Sequence, residues 1–270
     1  MINQVKPFVL YLIIIVLTLS GCVENREEGR FSSNKNGWEA IRPPYDVMSI
    51  AVSHEFVYAG GKEGLFRINK SDRDVVEKVC PESNISYVRS ICFDNDNRLW
   101  IGSMDGLYIF DDGKITPADV EILPDKRINY VTLLDDGKIA VGTWGGAVFY
   151  DKGKWSLLTT DDGLLTNMVN FILKDSDSGM WFGSNSVIEG GITYIKNGSA
   201  KHFSVEDGLP HCNVSSIIED RNGTIWVGGG LHDAGGVACF TKGKNGYSID
   251  SSFEKSKHLY DIKVRSMYED

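Results

Sequence analysis

Positive charge is scarce in this chain. Its 28 Lys and Arg stand against 37 Asp and Glu, for a formal net charge of −9. That balance argues against a nucleic-acid binder, which needs a basic face for the phosphate backbone. Proline is also scarce, at 7 of 270 residues, and the 5 cysteines are irregularly spaced with no C-x-x-C. Zinc-finger and dithiol redox motifs are thereby excluded. Five scattered histidines give no metal-ligand spacing, and neither H-E-x-x-H nor G-x-S-x-G occurs. No local motif therefore points to a metal, a cofactor or a catalytic constellation. Apolar runs are short except Phe8–Leu19, so a polytopic membrane protein is excluded. Helical 3.6-residue periodicity is absent as well. What is plentiful is glycine, at 29 residues, and aromatics, at 11%. That mixture suits many short strands joined by tight turns.

The first 22 residues read as an address. Lys6 precedes the 12-residue apolar run, which is too short to span a bilayer as a helix, and Leu19-Ser20-Gly21-Cys22 follows directly. This ending resembles the bacterial lipobox, which implies cleavage before Cys22 and lipidation of its thiol. Residues 1–21 are then a lipoprotein signal peptide. Residues 22–37, polar and without periodicity, are expected to be a flexible tether. The expected location is the cell envelope, on the periplasmic or surface side of a membrane, held there by lipid. Of the remaining thiols, Cys92 and Cys239 sit inside strand patterns, which suits small buried side chains.

From residue 38 onward the chain repeats itself. Val57-Tyr-Ala-Gly60, Leu99-Trp-Ile-Gly102, Ile139-Ala-Val-Gly142, Met180-Trp-Phe-Gly183 and Ile225-Trp-Val-Gly228 recur at steps of 42, 40, 41 and 45 residues. Each is preceded by an alternating strand and, in most units, an Asp/Asn/Gly turn; each is followed by a second glycine and another strand. Four short strands per unit of about 41 residues is the pattern of a β-propeller. Residues 38–270 are thus expected to form an all-β propeller of five complete four-stranded blades plus a split or incomplete sixth. Trp38–Ile41 reads as the outermost strand of that sixth blade and Val264–Asp270 as its innermost. Its two middle strands are missing, so a complete chain is expected to continue past Asp270.

The units Asp207-Gly-Leu-Pro210, Asn213–Asp220, Asn222-Gly-Thr-Ile-Trp-Val-Gly228 and Gly235-Gly-Val237, echoed from Asp162 to Gly183, resemble the two-component-regulator propeller repeat. That family is typical of periplasmic sensor regions of hybrid histidine kinases. The resemblance implies recognition of an oligosaccharide or related cue; together with the lipobox and the acidic balance it leads to the expectation of a non-catalytic module that binds a glycan or an envelope protein partner.

Trp100, Trp181 and Trp226 recur in register, which points to packing between blades rather than to a ligand site. The turn acids Asp94/Asp96, Asp135/Asp136, Asp175/Asp177 and Glu219/Asp220 also recur, and each is expected to satisfy its own turn. Residues that differ between repeats are better site candidates. Trp144 is expected on the face of the ring that carries the links between strands two and three. The longer links 184–190 and 229–235 carry Asn185, Glu189, His232 and Asp233. Together these five suit stacking against, and hydrogen bonding to, a sugar. The alternative is a polysaccharide lyase or glycosidase using His232, Asp233 and Glu189 as acid and base, or a truncated remnant of a sensor kinase.

Overall fold

The computed structural model describes residues 31–33, 38–41, 43–186, 188–232, 234–244, 246–250 and 263–270. The signal peptide and Cys22 lie outside them. The chain divides at Pro43 and Pro44 into two compact units. In the first, Phe31–Ser33 pairs antiparallel with Trp38–Ala40, Phe31 opposite Ala40. The strand expected at Trp38–Ile41 therefore exists, but its partner comes from the stretch expected to be a tether.

The second unit holds five four-stranded antiparallel sheets, each built from four consecutive strands. Blade 1 comprises Ser49–Val52, Phe56–Gly61, Gly64–Asn69 and Val76–Lys78. Blade 2 comprises Val88–Phe93, Leu99–Ser103, Leu107–Asp111 and Lys114–Pro117. Blade 3 comprises Ile128–Leu133, Ile139–Thr143, Ala147–Asp151 and Lys154–Leu158. Blade 4 comprises Val169–Lys174, Met180–Ser184, Ile192–Lys196 and Ser199–Phe203. Blade 5 comprises Val214–Glu219, Ile225–Leu231, Ala234–Gly243 and Gly246–Ile249. First strands contact first strands from blade to blade. The chain is a β-propeller, with the first strands along its axis.

Each blade packs on the next through a small residue. A Cβ added at Gly102 would meet Ile128 Cγ2 at 2.5 Å, and one at Gly183 would meet Val214 Cγ1 at 2.6 Å. Glycine in the second strand lets the following blade approach, and a side chain there would force the sheets apart. The apolar residue three places further along each first strand fills the rest of the seam. Ile91, Val131, Ile172 and Ile217 are all buried. Their counterpart in blade 1, Ile50, is 63% exposed, because no blade precedes it among the described residues.

The recurring Trp is a structural group, as its register implies. Trp100, Trp181 and Trp226 each donate their indole N–H to a turn aspartate six residues earlier, Asp94, Asp175 and Asp220, at 2.8–2.9 Å. The other carboxylate oxygen closes the turn, accepting from Arg98 N, Gly179 N and Thr224 N. One acid thus holds both the hairpin and the indole, which is fully buried at Trp100 and Trp181 and half-buried at Trp226. Blade 3 lacks both partners: Leu134 stands in place of the Asp and Ala140 in place of the Trp. The Asp-Gly-Leu links are capping boxes. Asp162 Oδ2 accepts from Thr159 N, Asp207 Oδ2 accepts from Ser204 N, and Gly163 and Gly208 take left-handed φ values of 109° and 108°.

Residues 263–270, expected to be the first strand of a sixth blade, form no strand. A strand needs a ladder partner, and none of the described residues supplies one. The segment nevertheless docks on blade 5, with Val264 N donating to Gly229 O at 3.2 Å.

Candidate ligand-binding cavity

The first strands of blades 2 to 5 share an irregularity that the alternating sequence pattern hides. Pairing with the second strand skips one residue in each: Arg89, Asn129, Asn170 and Ser215. A β-bulge leaves its extra residue out of the ladder and re-aims the side chain. Here Asn129 Nδ2 donates to Val169 O at 2.9 Å, and Asn170 Nδ2 donates to Val214 O at 2.6 Å. Ser215 Oγ donates to Val264 O. The bulged residues of blades 3 and 4 therefore grip the backbone at the start of the next blade, and that of blade 5 grips the docked segment at Val264.

A second belt lies one residue further on. Ser49 Oγ accepts from Ile91 N at 3.1 Å, Ser90 Oγ from Val131 N at 2.9 Å, and Ser216 Oγ from Met267 N at 3.1 Å. Blades 3 and 4 place Tyr130 and Phe171 at this position. Their rings stack 4.2 Å apart between centroids, at 28°. Burial pushes the Tyr130 hydroxyl up to about 12, so it stays protonated and can donate.

These belts line a half-open axial cavity of about 700 Å³. That is within the usual range for small-molecule sites. Its polar wall includes Arg89, Asn129, Asn170, Asn185, Asn213 and Arg265, and its apolar wall is formed by the Tyr130–Phe171 stack and Met48. Asn185, between strands two and three of blade 4, and Leu231, at the turn between those strands in blade 5, also line it. The cavity is therefore at the end of the axis that carries those links.

The five sequence candidates fall in different places. Asn185 lines the cavity, and its Oδ1 accepts from Asn213 Nδ2 at 2.9 Å. Trp144 stands behind the wall. Its Nε1 donates to Asn129 Oδ1 at 3.0 Å, while the Arg127 guanidinium lies 4.1 Å over its ring. One aromatic face is thus already covered, and the indole acts on the cavity by orienting Asn129. Glu189 is exposed and does not line the cavity. His232 is exposed at the tip of the hairpin that joins Ile225–Leu231 to Ala234–Gly243, with φ 53°. Leu231 pairs with Ala234, so the long link expected at 229–235 is strand extension around a two-residue turn. Asp233 lies outside the described residues. Arg89, Asn129 and Asn170 carry no sequence signal because a bulge makes a polar residue look like the solvent side of an alternating strand, whereas Asn213 sits just before its strand and Arg265 lies in a segment without one.

The family described as "Two component regulator propeller" matches residues 82–105 and 208–230. Each match contains one Asp–Trp pair and its two strands. These segments are two-component-regulator propeller repeats. Comparison with curated proteins finds no match. Among solved structures, the extracellular domain of the one component system BT4673 from B. thetaiotaomicron aligns over 89% of this chain, at 21% identity and a TM-score of 0.63. The chain spans 31% of that molecule. Virginiamycin B lyase from Staphylococcus aureus, solved with quinupristin, aligns over 87% of this chain and 80% of its own, at 16% identity and a TM-score of 0.60. PorZ, a surface component of the type-IX secretion system of Porphyromonas gingivalis, aligns over 83% of this chain and 38% of its own, at 16% identity and a TM-score of 0.59. Identities this low carry the propeller fold. The regulator-propeller repeats further relate this chain to two-component sensor propellers.

Proposed function

We propose that this regulator propeller is a non-catalytic binding module of sensor type. It takes an oligosaccharide in its axial cavity and is held in the cell envelope by lipid on Cys22. The observation that carries the reading is the cavity itself. Amides, hydroxyls and an aromatic stack converge in about 700 Å³, the mixture that a ring with many hydroxyls requires. The position of Cys22 behind the apolar run supports the anchor. BT4673, whose aligned part is an extracellular domain, supports the envelope setting.

The test is calorimetric titration of the full chain against a panel of plant and host oligosaccharides, neutral and acidic, with Asn170→Ala as control. Micromolar to millimolar binding that weakens severalfold in the variant is the expected result. A folded chain that binds no member of the panel overturns the reading. Metabolic labelling with a palmitate analogue, lost in Cys22→Ala, checks the anchor separately.

A further inference from the structure

The charge of the cavity wall opposes that of the chain. The protein has 37 acidic residues against 28 basic, yet none of the residues lining the cavity is Asp or Glu. Three of them are cationic: Arg89, Lys263 and Arg265. Arg89 and Arg265 hold equivalent places, each following the residue that packs on the previous blade's glycine, Val88 at Gly60 and Val264 at Gly228. Arg89 and Arg265 therefore both present guanidinium groups to the cavity, and the equivalent residue of blade 1 is Met48.

Charge balance within the protein does not account for these groups. Among the described residues no carboxylate forms an ion pair with Arg89, Lys263 or Arg265, although Arg67, Arg98, Arg127 and Arg221 all have one. Among the described residues the Arg89 side chain donates to Met104 Sδ at 3.6 Å, a weak acceptor. Burial lowers the Arg89 pKa with no acid to offset it. A half-buried guanidinium facing a cavity without a counter-charge is a fork for a carboxylate or another oxyanion. The asparagine amides beside it supply directional contacts to neutral hydroxyls.

We infer that the cavity selects ligands carrying an acidic group, held by Arg89 and Arg265 with Lys263 as a third cation in the wall. Resting on the saccharide reading above, this makes the preferred ligand an acidic sugar oligomer.

Titration calorimetry of the full chain with trigalacturonate, cellotriose and citrate tests it, alongside Arg265→Gln, whose parent side chain is exposed, and Arg89→Gln. Trigalacturonate is expected to bind at least tenfold more tightly than cellotriose. Its affinity should fall at least fivefold in either variant and fall further as salt rises from 50 to 300 mM. Equal affinity for the two sugars overturns the inference and leaves the saccharide reading standing. Citrate binding that either variant weakens, with no sugar bound, keeps the anionic site and removes the saccharide reading. Anion binding unchanged in both variants overturns the inference by placing the site elsewhere. No binding of any probe to the folded chain overturns both.

Discussion

Val264 stands over Gly228 as Val214 stands over Gly183: a Cβ at either glycine would fall 2.6 Å from the valine Cγ1. The two seams differ in one respect, since Val214 begins a four-stranded blade and Val264 belongs to a segment with no ladder partner. Gly183→Ala should cost about 1–3 kcal/mol through overpacking. Gly228→Ala should cost a similar amount, and Val264→Ala in the same molecule should recover part of it. Urea midpoints decide the matter. A silent Gly228→Ala beside a destabilising Gly183→Ala would mean that residues 263–270 do not dock in solution.

The buried Trp181–Asp175 pair lends itself to a double-mutant cycle. Trp181→Phe removes the indole donor and leaves the carboxylate short of a partner, a loss of about 1–3 kcal/mol. Asp175→Ala frees the same indole N–H and the Gly179 amide. The double variant should be more stable than the sum of the single losses implies, with a coupling of about 0.5–3 kcal/mol. Strict additivity would show that the hydrogen bond contributes nothing to the blade.

Acid should weaken the propeller through the same turns. The Trp226 indole N–H holds the Asp220 carboxyl below its usual range. At Asp94, burial pushes upward but is outweighed by hydrogen bonds from Trp100 and Arg98, and the net shift is downward. A depressed folded pKa stabilises the fold above the unfolded value of about 3.9 and loses that stabilisation as pH falls through the folded one. Denaturant midpoints should therefore fall below about pH 4, in addition to the loss that the lowered His211 pKa brings as pH drops through about 6.5. Asp94→Asn with Asp220→Asn should flatten the acid limb, and an unchanged limb would assign acid sensitivity to other groups.

Thiol chemistry should be slow in the folded chain. Burial, with the Asp94 charge nearby, pushes the Cys92 thiol up to about 12, and burial also raises Cys239. Thiolate is the reactive form, so iodoacetamide at pH 8 should leave both unmodified in native protein and alkylate both in urea. Peptide mass spectrometry reads the difference, and rapid native labelling of Cys92 would contradict its burial.

Trp144 offers a test of indirect control. Trp144→Phe deletes the donor to Asn129 Oδ1 while keeping an aromatic ring under Arg127. Saccharide affinity should fall about threefold to tenfold, the loss of one hydrogen bond's orienting effect, with little change in melting temperature. Unaltered affinity would separate Trp144 from the cavity.

The scaffold was legible in the residues because its rules repeat. The glycine after each Trp-Ile-Gly-like phrase must be small for the next blade to approach. Asp94, Asp175 and Asp220 each precede their Trp by six places. The joint change at Leu134 and Ala140 even exposes the pair as one unit. Trp144 and Asn185 stand out in the sequence because they depart from the repeat; Asn185 lines the cavity and Trp144 bonds to Asn129, which lines it. The rest of the cavity was hidden for a specific reason. A bulge shifts side-chain direction by one residue without altering composition, so Arg89, Asn129, Asn170 and Ser215 look like ordinary outward positions. Strand boundaries at 229–235 were misjudged because glycines that signal a loop also permit a closely paired hairpin.

Bulged residues owe nothing to their own ladder, and this frees them to vary. A change at Arg89 leaves strand pairing, glycine seams and indole locks where they were, whereas a change at Asn170 also gives up the bond to Val214 O at the start of blade 5. Each of blades 2 to 5 thus turns one side chain free of its own ladder toward the hub, where composition can change without rewriting the frame.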